Sequence, residues 1–313
     1  MSQKVITVLG PKNPGKMGIT DAHSHIWISP VEGIGGKAPV LNQEELILED
    51  LAAYKNAGGG SQIDCQPGGA GRDGNRLRSL SRRSGINVVS CTGFHLSDYY
   101  PEGADLWKMD AHQAAANFLA EIKDGLVETR NSDPVYPGFI KIAVRETIKK
   151  TPLNLLEAAV AASIESGYKI EMHTEKGAGV ENFLDMFSKL GLPLDRLVIC
   201  HIDKRPDPGL HQELAQAGCL LEYDTFFRPK YHPEKNLWKL IPEMIKAGYH
   251  KSVALATDLA DKKMWESMGE GPGLAGFIHQ IKKRMEMEIT EGSIITDLMG
   301  GNINRCLAVN IEE

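Results

Sequence analysis

No apolar run in this chain is long enough to span a bilayer. The first residues, Met1-Ser-Gln-Lys-Val-Ile-Thr-Val, lack the apolar core and small-residue cleavage site of a secretory signal. The expectation is a soluble, cytoplasmic protein with no membrane partner. Cysteine is scarce. The five residues (Cys65, Cys91, Cys200, Cys219, Cys306) are odd in number and widely spaced, without a Cys-X-X-Cys pair. That argues against a disulfide framework or a thiolate zinc site and predicts reduced core thiols. Excess positive charge is also missing. A net charge of -6, a pI near 6.0 and scattered Lys and Arg leave no basic footprint, so no nucleic-acid partner is expected. Repeats, low-complexity tracts and internal composition breaks are absent, which predicts a single domain over residues 1–313.

What the chain does have is alternation. After an opening strand at Val5 to Leu9, eight short β-rich runs follow: Ile19 to His23, Ser61 to Cys65, Asn87 to Thr92, Phe139 to Val144, Lys169 to His173, Leu197 to His201, Cys219 to Tyr223 and Val253 to Thr257. Amphipathic segments separate them, among them Gln43 to Asn56, Ala111 to Asp124, Leu153 to Ser166, Val180 to Leu190, Leu210 to Ala217, Leu237 to Ala247 and Gly273 to Met285. Several close on Ala-Gly or Ser-Gly, a helix stop signal shortly before the next strand. Eight strands with intervening helices predict an α/β fold, the (β/α)8 TIM barrel. His23 and Asp258 stand about 235 residues apart, room for seven βα units of roughly 34 residues.

His23 and His25 are two positions apart on the first of these runs. Residues i and i+2 of a strand share a face, so both imidazoles can converge on one metal ion. Lys141, His173, His201 and Asp258 lie in or at the ends of later runs, and the C-terminal ends of barrel strands are where such enzymes keep their chemistry. The long stretches Pro67 to Gly74, His95 to Asp110 and Arg228 to Glu234 fall on the same mouth. A metal-dependent enzyme is the leading expectation.

Five segments in order, Asp21-Ala-His-Ser-His25, Gly138-Phe-Ile-Lys-Ile-Ala143, Glu171-Met-His-Thr174, Cys200-His-Ile-Asp203 and Ala256-Thr-Asp258, resemble the phosphotriesterase family of the amidohydrolase superfamily. The resemblance implies a binuclear centre at the C-terminal mouth. His23, His25 and Asp258 would hold one ion, and His173 and His201 the other. Lys141, carboxylated by CO2, would bridge the two as a carbamate. Such donors suit two divalent ions, Zn2+ first, with Mn2+, Co2+ or Fe2+ on the same set. It further implies that a hydroxide held between the ions attacks the substrate while Asp258 accepts its proton.

The loops after the sixth and seventh strands, His201-Ile-Asp-Lys-Arg-Pro-Asp207 and Tyr223-Asp-Thr-Phe-Phe-Arg-Pro-Lys-Tyr231, are cationic beside a centre that is already positive. An anionic small-molecule substrate would explain them, with Arg228 and Lys204 on its charge and the Tyr231 hydroxyl donating. Arg228-X-X-Tyr231 resembles the phosphate-gripping loop of family members that open phosphorylated sugar lactones. The expected function is therefore lactone hydrolysis. Phosphotriester or amide hydrolysis on the same centre is the alternative, and a silent anion-binding barrel is a more distant one. Cys91-Thr-Gly-Phe-His95 with Tyr99, Tyr100 and Pro101 resembles the family loop bordering the substrate pocket, where Tyr99 would form part of an apolar wall. Asp203 and Glu175 are candidates to orient the metal histidines. Two features depart from close relatives: no acidic residue stands between His23 and His25, and Gln62-Ile-Asp64-Cys replaces their second-strand signature. A homodimer is compatible with the resemblance.

Overall fold

Strands and helices alternate through most of the computed structural model, which describes residues 2–34, 38–131 and 133–311. The strands are β1 (Ser2–Thr7), β2 (Gly10–Lys12), β3 (Ile19–Ser24), β4 (Gly59–Asp64), β5 (Asn87–Val89), β6 (Cys91–Gly93), β7 (Phe139–Ala143), β8 (Ile170–His173), β9 (Leu197–Cys200), β10 (Leu220–Tyr223), β11 (Val253–Leu255) and β12 (Val309–Ile311). Between them run α1 (Glu44–Asn56), α2 (Gly74–Ser84), α3 (Ala111–Asp124), α4 (Leu153–Ser166), α5 (Val180–Lys189), α6 (Pro208–Gln216) and α7 (Leu237–Lys246). The expected segment Gly273 to Met285 begins later, as a π-helix over Phe277–Lys282 that continues into an α-helix over Lys283–Glu288.

All pairings from β3 to β11 are parallel, in two sheets ordered β3-β4-β5 and β6-β7-β8-β9-β10-β11. The expected third strand is split at Ser90, which lies between β5 and β6. At the opposite seam Asp258 N–H donates to the His23 carbonyl at 2.9 Å. There Asp21 accepts from the Thr257 N–H at 3.0 Å and from its hydroxyl at 2.5 Å. Burial pushes the Asp21 carboxyl up to about 7. β1, β2 and β12 form a separate antiparallel sheet that the alternation did not reveal.

Strand alternation sorts the side chains into two layers. Ile140, Ile142, Ile170, Met172, Ile199, Leu221, Tyr223, Val253 and Leu255 join the main core with helix residues such as Leu51, Phe118, Leu155, Phe183 and Trp238. Phe139, Val198, Leu220, Ala254 and Ala256 gather in a smaller cluster with Ala22, Ile63 and Cys91. The positions two residues further along these strands, on the same face, are Lys141, Cys200 and Glu222, level with Glu171 and all buried. One step beyond stand His173, Asp224 and Asp258. The interior thus passes from apolar to ionisable towards the C-terminal strand ends. All five cysteines are free thiols, four of them buried.

Candidate metal centre

Three of the four expected metal histidines have one ring nitrogen tied to an acceptor, which fixes the ring. On β3, His23 Nδ1 lies 2.7 Å from Glu222 Oε1 and 3.3 Å from Glu171 Oε1, while its Nε2 is 3.9 Å from Asp258 Oδ1. His25 sets Nδ1 against Gln66 Oε1 at 2.8 Å and Nε2 3.7 Å from the same Asp258 oxygen. Gln66 is itself held by its amide donating to the Ala70 carbonyl. Asp224 Oδ2 meets both the ring Nδ1 of His201, at 2.6 Å, and its backbone N–H, at 2.9 Å. That double grip holds His201 at φ 62°; Asp258 is at φ 49°. Side chains other than glycine rarely adopt this region, and such strain persists only where surrounding contacts enforce it.

His173 and His201 face each other with Nδ1 and Nε2 only 2.9 Å apart. Burial, above all other influences, lowers the pKa of all four imidazoles, that of His25 to about 4. The rings are therefore neutral at pH 7 and able to give lone pairs to a cation. Burial pushes the Asp258 carboxyl up, but Arg228 and His201 outweigh it and hold the group below the ordinary aspartate value. Ligand atoms of His23, His25 and Asp258 lie within 4.8 Å of one another, as do those of His201, Asp224 and Asp258. Neutral nitrogens converging on an ionised carboxylate, with their far sides tethered, fit divalent cations well.

Lys141 sits beside the same cluster. Its amine shares Glu171 Oε1 with His23, whose Nδ1 lies 3.3 Å from that oxygen. It turns to the adjacent strand, where Nζ pairs with Glu171 Oε1 at 2.7 Å and approaches Cys200 Sγ at 3.6 Å. The reason is register: Lys141 and Glu171 are cross-strand partners on β7 and β8. Burial disfavours the ammonium, yet Cys200, Cys65, Glu171 and Glu222 together keep it charged. Glu171 Oε2 and Glu222 Oε2 are buried without hydrogen-bond partners. A carbamate on Lys141 therefore does not fit the arrangement as it stands, because the new anion would meet two buried carboxylates.

The four histidines and Asp258 open onto a cavity of about 180 Å³ that is also lined by Ile28, Gln66, His95, Tyr99, Arg228 and Ala260. Arg228 Nη2 donates to Asp258 Oδ2 at 2.7 Å and to the Asp258 carbonyl, while its Nε is buried and unpartnered. Tyr99 lies edge-on to His95 at 4.7 Å. Lys204 and Tyr231 are not part of the cavity lining. The Lys204 ammonium sits 5.2 Å from the centre of the Tyr231 ring, and Lys230 lies 4.9 Å from it. Asp203 orients no histidine and instead accepts from the backbone and hydroxyl of Thr225. Glu175 comes within 3.5 Å of His173 Nε2. The sequence reading missed Gln66, Glu171, Glu222 and Asp224. The spacing of Glu222-Tyr-Asp224, acidic at i and i+2 on a strand end, carried the same signal as His23-Ser-His25.

The sequence profile of the phosphotriesterase family matches residues 3–285. A phospho-furanose lactonase of Mycoplasmopsis synoviae is 27% identical over 270 residues, covering 80% of this chain and 75% of that one. An N-acetyltaurine hydrolase of Salmo salar is 24% identical over 328 residues, covering 91% and 92%. Among solved structures, a lactonase from Listeria monocytogenes superposes with a TM-score of 0.89 at 22% identity, covering 97% of this chain and 98% of its own. The phosphotriesterase homology protein from Escherichia coli, complexed with phosphate in its active site, gives 0.84 at 20% identity, covering 93% and 99%.

Proposed function

Because the chain belongs to the phosphotriesterase family, we propose that it is a metal-dependent hydrolase that opens the lactone ring of a phosphorylated sugar acid. The two parallel sheets are read as arcs of one (β/α)8 barrel, continuous through Ser90 and joined again at the Asp258–His23 backbone bond. The observation that carries the reading is the convergence of four imidazoles and an aspartate on one cavity that also contains a guanidinium. His23, His25 and Asp258 would hold one divalent cation and His173 and His201 a second, Zn2+ being the first choice and Mn2+, Co2+ or Fe2+ the others. When bound, the cations would acidify water and polarise the ester carbonyl.

The protein's own groups do the rest. Asp258 takes the proton of the attacking water and returns it to the ring oxygen as the acyl C–O bond breaks, so a hydroxy acid leaves. Glu222, Gln66 and Asp224 keep the imidazoles in register. Arg228 spends one nitrogen on Asp258, and its unpartnered Nε supports contact with a substrate anion. Lys204 and Tyr231 would reach a phosphate only by leaving their mutual contact, whereas Tyr99 and Ile28 wall the cavity. Lys141 would have to leave Glu171 before its amine could take up CO2 and serve the cations.

Amide hydrolysis of an N-acyl sulfonate is the second reading, favoured by relatives of that activity spanning 91% of the chain. The deciding experiment offers the metal-loaded protein paired furanose lactones, with and without phosphate, beside N-acetyltaurine. Preference for phosphorylated lactones supports the proposal, and cleavage of the amide alone replaces it.

A further inference from the structure

We infer that His95 is a neutral hydrogen-bond donor that touches the substrate, presenting Nε2–H to the oxygen that gains charge as the ester opens, and is neither a metal ligand nor a base. It is the fifth histidine lining the cavity. It differs from the other four in what its ring nitrogens meet.

The backbone N–H of Leu96 donates to His95 Nδ1 at 2.7 Å. A nitrogen that accepts a hydrogen bond carries no proton, so the ring proton of His95 sits on Nε2 and the imidazolium form is excluded by geometry alone. An Nε2 that bears hydrogen has no lone pair with which to bind a cation or take a proton. It can only donate. Nε2 has no partner among the described residues, and the residue is 8% exposed at the cavity wall. A fixed donor facing a cavity is most valuable where negative charge develops during a reaction.

The ring is held rigidly. Its own backbone N–H donates to the Tyr100 hydroxyl at 3.0 Å. Tyr99 packs edge-on at 4.7 Å, and the His173 ring lies 5.0 Å away on another side. The approach to the cavity depends on Gly93, at φ 103°, where a Cβ would come within 1.9 Å of the Lys141 carbonyl oxygen. That close passage lets Phe94 N–H bond the same carbonyl at 2.9 Å while the next residue turns to the mouth.

The part played in turnover rests on the proposed ester opening; the tautomer does not, so the two are tested separately. Long-range nitrogen-15 spectra of the metal-loaded full chain should show His95 as the Nε2–H tautomer from about pH 6 to about pH 9. Addition of a hydroxy-acid product should move that proton's signal. An Nδ1–H ring, an imidazolium, a metal-shifted Nε2 or no response to product overturns the inference. His95→Phe should lower kcat about a hundredfold with little change in KM and full metal content, while His95→Gln, which keeps a donor, should recover most of it. Loss of metal in His95→Phe, or unchanged kcat, also overturns it. If the wild type opens no ester, the hydrolase reading fails alone, and the spectra with product decide the donor.

Discussion

Asp258 carries the heaviest demand of any single residue, since it faces three histidines, pairs with Arg228 and is held below the ordinary aspartate pKa. Asp258→Asn should cut kcat by about 10² to 10⁴ while circular dichroism and melting stay near wild type, because the amide keeps the shape and removes the base. Activity within a few-fold of wild type would remove Asp258 from that role. Arg228 was expected to grip phosphate together with Lys204 and Tyr231, and it also pairs with Asp258, the proposed base. Arg228→Ala should therefore lower kcat on neutral and phosphorylated lactones alike, by up to about a hundredfold, with a further KM rise only for the phosphorylated one. The pH profile should move as well. A base must be ionised to work, and its activity is lost as pH falls through its pKa. Removing Arg228 leaves burial less opposed, so the Asp258 pKa rises and the acid limb shifts to higher pH. An unshifted limb in the kcat/KM profile would contradict the pairing. The clustering of the four histidines was legible because strand-end position and i, i+2 spacing are local properties. The pairing of Lys141 with Glu171 was not, because it depends on which residue the neighbouring strand sets beside it.

β10 does more than its four residues suggest, since Glu222 and Asp224, on it and just beyond it, steady His23 and His201 from the same face. Glu222→Ala and Asp224→Ala should each weaken metal affinity about 10- to 100-fold, measured by calorimetry on chelated protein, through the loss of support for His23 and His201. Unchanged affinity would reduce both to packing. The β7–β8 ladder makes a different prediction. With the Lys141–Glu171 pair in place, carbamylation must displace a buried ammonium from its carboxylate. Glu171→Gln should raise the fraction of protein carrying the mass of added CO2 in bicarbonate buffer; a fraction that falls would make Glu171 a support of the carbamate. Helices were read unevenly. α3 and α4 were found with their full bounds because apolar residues recur along them, whereas α2, Gly-Asn-Arg-Leu-Arg-Ser-Leu-Ser-Arg-Arg-Ser, was not identified. It buries just two leucines and is anchored instead by the Asp73 side chain accepting from the Asn75 and Arg76 N–H groups.

At the scale of the molecule, alternation of strands and helices was enough to anticipate parallel sheets, because period and stop signals act along the chain. Sheet order, the break at Ser90 and the antiparallel β1-β2-β12 flap arise from pairings between distant segments, which no local pattern encodes. On the proposed reading, this architecture brings two cations to one cavity for ester hydrolysis. That reading is tested most directly by titrating Zn2+ or Mn2+ into chelated protein while following the opening of a phosphorylated furanose lactone with a pH indicator. Turnover should be absent without metal and rise to a plateau at two equivalents. Turnover that persists after chelation, or fully loaded protein that opens no lactone, would contradict it.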